Sequence, residues 1–324
     1  MPADAIRPRT TSELLDASIQ MLRTHYASFL ALSVIGLLPQ VLVSIYNVTV
    51  LVPQYADRAA LYTLPLVLVA LLWMALADAA LVRAASDAYL GDAIDPRAAL
   101  RQAFGRGGTI VLATIIKYLL IAVGYVLVAI AATIACGILI AIVWGIMAAT
   151  GHGLGGVNSP TFTVVLVAVA GIVFTLASIW WLLFAAARLF GYRPAIMLER
   201  CGADASLRRS NTLARGQTMK VVLAFLLVYV IYFAAYLLLF AIVYIATGRS
   251  TLAQATSGII GIFAYPIIPI VTTLLYYDLR IRKEGYDIEL MAGAMETGMR
   301  DAGDGVRSSL GGEGFSSTSP SHPA

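Results

Sequence analysis

TMKVVLAFLLVYVIYFAAYLLLFAIVYIAT, residues 218–247, is the stretch that decides the fold. From Val221 to Thr247 it carries no charged side chain. As a helix rising about 1.5 Å per residue, it is long enough to cross a hydrocarbon core of about 30 Å. Five further apolar runs lie along the chain, at 27–52, 61–83, 110–149, 161–190 and 254–279. The composition agrees. Of 324 residues, 60% are hydrophobic and 12% are charged, against about 25% charged in a soluble domain. That polar content cannot cover a water-soluble particle of this size, so the sequence reads as an all-α integral membrane protein, a six-span helical bundle.

Charge placement sets the expected orientation. Of 22 Lys and Arg residues, 19 fall in the N-terminal segment, the second and fourth connectors and the C-terminal segment. Cytoplasmic loops carry such an excess. The expected location is therefore the cell (cytoplasmic) membrane, multi-pass, with both termini cytoplasmic. The net charge of +4 belongs to those loops, and no nucleic-acid partner is expected. The first 26 residues are polar and amphipathic and precede a span-length run, which argues against a cleavable signal. Cys136 and Cys201 fall in a span and a connector, too far apart in setting to pair. The run at 110–149 is too long for one simple crossing. The expectation is one long helix, bent or interrupted near Gly137, leading to a glycine-rich outer loop, GHGLGGVNSP, at 151–160.

Before each odd-numbered span lies a short amphipathic segment: TSELLDASIQMLRTHY, DPRAALRQAFGRG and GADASLRRSNTLARG. Thr11 or Ser12 is the expected cap of the first, and Pro96 the start of the second. These three read as cytoplasmic interfacial helices, apolar side down and arginine side up. Gly107 and Gly216 follow Arg106 and Arg215 at matching places and can turn the chain into the bilayer. Three helix-plus-hairpin units would make a pseudo-threefold repeat. Three unrelated juxtamembrane helices would look the same. The expected domains are a cytoplasmic amphipathic helix at 1–26, a six-span membrane domain at 27–285, a short cytoplasmic helix at 286–300 and a disordered tail at 301–324, rich in Gly, Ser and Pro.

Two motifs, LLYYDLRIRKEGYDIEL at 274–290 and MLERCGADASLRRSNTLARG at 197–216, resemble the bacterial glycerophosphoryl diester phosphodiesterase membrane-domain family, six-span integral membrane proteins. The resemblance covers most of residues 11–290. It implies the membrane fold without the catalytic domain fused to it in some members. Phosphodiester hydrolysis would need a carboxylate cluster with histidine, whereas His25, His152 and His322 are scattered. No enzyme activity, cofactor or metal is expected.

Several residues stand out as candidate sites. Asp78 and Lys117 are charges within apolar runs, at similar depth, and are expected to form an ion pair, as structural glue or as a coupling site. Pro266 and Pro269 are expected to kink the last span, either for packing or as a hinge. At its end, Tyr276 and Tyr277 suit an aromatic belt. Asp278 with Arg282, and Arg280 with Glu284, are spaced to pair on one helix face, and Gly285 is a helix stop. This signature reads as a depth anchor, or as a docking surface for lipid phosphate or for the Glu199–Arg209 segment. Arg200, Arg208, Arg209 and Arg215 form a basic helix that would attract anionic headgroups, or would simply fix topology. Gly137, Ala141 and Gly145 recur as a small-residue stripe. Phe225, Tyr229, Tyr232 and Tyr236 form an aromatic stripe that suits core packing better than a cavity.

The expected function is a non-catalytic membrane domain that organises lipids, anionic headgroups among them, or partner proteins not identifiable from sequence. A homo-oligomer is compatible with this. The alternative is a small transporter or channel using the Pro-kinked last span and the intramembrane charges.

Overall fold

The computed structural model describes residues 9–55, 57–149, 160–250 and 261–285, together with Ala253 and Thr256. Residues 1–8, most of the expected outer loop, the expected helix at 286–300 and the tail at 301–324 lie outside the described residues. Among the described residues all regular structure is helical. In chain order the main helices are α1 (Thr11–Thr24), α2 (Tyr26–Tyr46, continued by a π-helical stretch at Asn47–Leu51 and a short turn of helix at Val52–Gln54), α3 (Ala59–Leu90), α4 (Pro96–Gly105), α5 (Gly107–Ala149), α6 (Pro160–Arg188), α7 (Tyr192–Leu198), α8 (Ala203–Ala214), α9 (Thr218–Thr247) and α10 (Ile267–Glu284). Six helical stretches among them are long and apolar enough to cross a membrane, the pattern of a multi-pass membrane protein.

Local chemistry sets the helix ends. Thr10, rather than Thr11 or Ser12, caps α1. Its hydroxyl accepts from the Glu13 amide at 3.3 Å, and the Glu13 carboxylate accepts from the Thr10 amide at 2.8 Å. This reciprocal box satisfies two amides that a helix start leaves without partners. Asp95 caps α4, accepting from the Arg97 amide at 2.9 Å, and Pro96 takes the first helical position. Ahead of α9 the chain turns at Gly216, whose φ is +82°. Ahead of α5 it turns at Arg106 with φ −110°, and Gly107 is already helical. The two Arg-Gly pairs thus match in sequence but turn differently. Helix α5 runs through Gly137 without a break. Its length, about 65 Å at 1.5 Å per residue, exceeds a bilayer core.

The packed core gathers at the end of the bundle that holds the arginine-rich connectors, here termed the basic end. Helices α3 and α10 lie at its centre. The second half of α3 is rich in alanine, and Ala75, Ala77, Ala79, Ala80, Ala84 and Ala85 are all buried. Small side chains let neighbours approach closely, and α2, α4, α5, α7 and α10 all pack on α3. The tightest approach is between α2 and α3: a Cβ at Gly36 would stand 2.6 Å from the Cβ of Ala77. The expected stripe on α5 does not serve this purpose, because a Cβ at Gly137 or Gly145 would meet nothing within 4 Å. Towards the other end α5, α6 and α9 expose apolar side chains such as Leu127, Ile134, Leu176, Trp180, Leu237 and Leu238. Acyl chains, not water, are the solvent that suits them.

Candidate functional site

The sequence LFGYRPAIML, residues 189–198, builds the site. Helix α6 ends at Arg188, the chain bends through Leu189–Gly191, and α7 begins at Tyr192. A serine ties the bend: Ser210 on α8 donates to the Arg188 carbonyl at 2.9 Å and accepts from the Gly191 amide at 2.8 Å. Gly191 is needed there, since a Cβ would stand 2.9 Å from Cδ2 of Tyr276. The bend drives Tyr192, Ile196 and Met197 into the core, where all three are fully buried.

It also delivers Arg193 to Asp78. Nη1 of Arg193 lies 2.9 Å from Oδ2 of Asp78, and the other carboxylate oxygen accepts from the hydroxyl of Tyr265. Asp78 is buried. The expected Asp78–Lys117 pair is therefore corrected: Arg193 holds the carboxylate. Lys117 sits instead over two aromatic faces, its Nζ 5.0 Å from the ring centre of Tyr192 and 5.6 Å from that of Tyr118, a cation–π arrangement. Arg193 lies 5.0 Å from the same Tyr192 ring, so one buried tyrosine separates two cations. Its hydroxyl lies 3.2 Å from Thr114. Thr114 already donates to the Ile110 carbonyl at 2.7 Å, so Tyr192 is the donor of that pair.

The break in the last span is what places Tyr265. Residues 261–264 are helical, Tyr265 and Pro266 form a turn, and α10 starts at Ile267. The bend lies at Tyr265–Pro266. Pro269 sits within the first turn of α10 and is buried, where a missing amide costs nothing. It is therefore not a second kink.

The end of α10 forms a second polar centre. Tyr276 and Tyr277, expected in an interfacial belt, are buried instead. Tyr276 donates to Glu199 at 2.6 Å, and Tyr277 hydrogen-bonds Ser86 at 2.8 Å and stacks on Tyr89 at 4.8 Å. Arg209 bridges two carboxylates. Its Nε lies 2.8 Å from Glu199 and its Nη2 2.7 Å from Glu284, with Nη1 on Glu284 as well. These carboxylates, Glu284 first and then Glu199, hold the guanidinium well above its ordinary pKa against the opposing effect of burial. Arg280 lies 3.4 Å from Glu199 and 3.3 Å from Glu284. Asp278, also buried, takes Arg282 at 3.0 Å, the Arg9 amide at 2.7 Å and the ammonium of Lys220. Lys283 donates to the Thr212 carbonyl at 2.7 Å. Gly285 closes the helix with φ +64°. Thus α10 is bound to the start of α1, to α8 and to the start of α9.

The basic helix divides by role. Arg209 is consumed by this network and Arg208 pairs with Asp204 at 2.8 Å. Arg200, which has φ +58°, and Arg215 remain exposed, as do Arg97 and Arg101 on α4. Cys201 and Cys136 are free thiols. Burial, with Glu199 nearby, pushes the Cys201 thiol up. Among the described residues no three His, Cys, Asp or Glu side chains group as metal ligands would.

A cavity of about 430 Å³ opens beside the buried charges. Lys117 and Arg193 line one part of it, and Leu183, Phe225, Tyr229 and Phe233 line the rest. The aromatic stripe on α9 thus faces a cavity at Phe225 and Tyr229. Sequence reasoning missed Arg193, Tyr192 and Tyr265. The readable signal was an arginine flanked by apolar residues on both sides in LFGYRPAIML. Compared with protein-family models, with curated proteins and with solved structures, the chain finds no significant match in any of the three.

Proposed function

We propose that this chain is a non-catalytic membrane domain that organises anionic lipids at the cytoplasmic face of the cell membrane, with both termini cytoplasmic. The observation that carries this reading is the division of arginines at the basic end. Arg209 locks α8 onto α10 through Glu199 and Glu284, while Arg97, Arg101, Arg200 and Arg215 stay exposed around that rigid centre. Each exposed cation near an anionic leaflet contributes about 1 kcal/mol of attraction. Helices α1, α4 and α8 would lie at the interface, with their apolar residues Leu14, Ala99, Ala103, Leu207 and Leu213 packed on the bundle core and their arginine sides outward.

Native mass spectrometry of the detergent-purified chain tests this. The wild type should retain phosphatidylglycerol, and the fourfold Arg97→Ala, Arg101→Ala, Arg200→Ala, Arg215→Ala variant should retain much less. Equal retention by both would remove the basis of the reading. Orientation is tested separately in intact cells. A cysteine placed at Asp204 should escape an impermeant thiol reagent, and one at Arg249 should react with it. Transport is the second reading, favoured by the break at Tyr265–Pro266 beside a buried carboxylate. Substrate flux in proteoliposomes that Asp78→Asn abolishes would put it first.

A further inference from the structure

The buried cluster beside the cavity holds more basic groups than acidic ones. Among the described residues Asp78 is its one acidic group, and Arg193 and Lys117 are two basic ones. Arg193 answers Asp78. Lys117 has aromatic faces for partners, and among the described residues no carboxylate pairs with it. Its side chain lines the cavity. Arg193 lines it too, and its Nε is buried with no hydrogen-bond partner among the described residues. A buried N–H donor without an acceptor is uncommon in native proteins and points to something missing. Lys117 carries a charge within these apolar runs only at a cost that a carboxylate partner would relieve.

Apart from Thr272, whose hydroxyl donates to the Ile268 carbonyl, the rest of the cavity is apolar and aromatic, from Leu183 on α6 to Phe225, Tyr229 and Phe233 on α9. Its volume of about 430 Å³ lies within the range of roughly 300–1,000 Å³ typical of small-molecule sites. A polar end with two basic side chains and a long, mostly apolar wall describe the complement of an amphiphile. We propose that this cavity binds a single-chain amphiphile with a carboxylate head, a free fatty acid, its head against Lys117 and Arg193 and its chain along Phe225, Tyr229 and Phe233. A carboxylic head supplies one acidic group, which brings the cluster to two acidic and two basic groups. A phosphate monoester carries about −1.5 to −2 and would leave the site overcompensated. The assignment deepens the lipid-binding reading above and rests on it only for the membrane setting, since no residue of the exposed arginine face takes part.

The test uses the full chain in neutral detergent with cis-parinaric acid, a fluorescent fatty acid, as probe. The acid should bind, and its methyl ester roughly tenfold or more weaker, because a charge-assisted hydrogen bond is lost. Lys117→Met should weaken the acid by a similar factor and leave the ester unchanged, while Lys117→Arg should restore acid binding. Ala186→Phe, which fills the cavity from an exposed position of its lining, should weaken acid and ester alike. It keeps the proposal testable if Lys117→Met fails to fold. The fourfold arginine variant should bind the acid as the wild type does, so that failure of the headgroup reading and failure of this one are separately visible. Equal affinity for acid and ester, or probe displaced by phosphatidylglycerol or lysophosphatidic acid but not by oleate, would overturn the assignment.

Discussion

Arg193 reaches across from the short helix α7 to hold Asp78 of α3 at 2.9 Å inside the bundle. The contact fixes the bend after α6 to the most buried part of α3, and Tyr265 closes the other side of the carboxylate. Breaking a buried pair by removing one partner costs about 3–5 kcal/mol, because the other charge is stranded. Asp78→Asn and Arg193→Met should each lower stability in detergent by that order, and the double variant by less than their sum. A double-mutant cycle of Asp78→Asn with Lys117→Met should show a clearly smaller coupling. A larger coupling to Lys117 than to Arg193 would refute the assignment of partners.

The approach of α2 to α3 makes a second prediction. A methyl group at Gly36 would stand 2.6 Å from the Ala77 side chain, and both positions are buried. Gly36→Ala should destabilise by about 1–3 kcal/mol through overpacking. Adding Ala77→Gly should return part of that loss. Thermal unfolding of the two variants decides it, and no recovery in the double variant would mean that the helices do not meet there.

Arg209 makes the third. With Arg280 it is one of two cations that Glu199 and Glu284 share, and its planar fork makes the closer contacts to both carboxylates. Arg209→Ala should cost about 1.5–3 kcal/mol, the range for hydrogen bonds to charged groups, and should release α8 locally. Arg209→Lys should not restore it, since a point charge cannot make the same forked contacts. Hydrogen exchange of the amides in 203–214 is the measurement. Unchanged protection in Arg209→Ala would show that α8 is held by its apolar face alone.

Cys201 supplies a prediction in pH. Burial and the neighbouring Glu199 both favour the neutral thiol and raise its pKa. At any given pH less thiolate is present, and thiolate is the reactive form. In a Cys136→Ser background, alkylation of Cys201 should rise with pH along a curve displaced upward from that of a free thiol near 8.5. Glu199→Gln should shift the curve back down. A curve at or below the free-thiol value would contradict the burial.

Much of the architecture is legible in the residues themselves. Charge-free runs of span length, arginines crowded into alternate connectors, Pro96 at the start of α4 and Gly285 at the end of α10 are local signals, because hydrocarbon thickness and backbone geometry act on consecutive residues. The pairs four apart at the end of α10 are legible for the same reason, since a helix brings such residues together by itself. Reading depth along the chain also finds Asp78 and Lys117 at similar levels.

Depth is not adjacency, however. Which cation meets Asp78 depends on how the bend at Gly191 turns α7 into the core, and that turn depends on Ser210 from α8 and on the space beside Tyr276. Likewise Arg209 is indistinguishable from Arg208 in sequence, yet one is locked between carboxylates and the other faces outward. The sequence by itself determined how often the chain can cross a bilayer and where each helix can start and stop, through forces that act within a few residues. Only the tertiary structure decided which side chains share a site. Ion pairs and cavities depend on the lateral packing of helices distant in the chain, and no spacing rule encodes that packing.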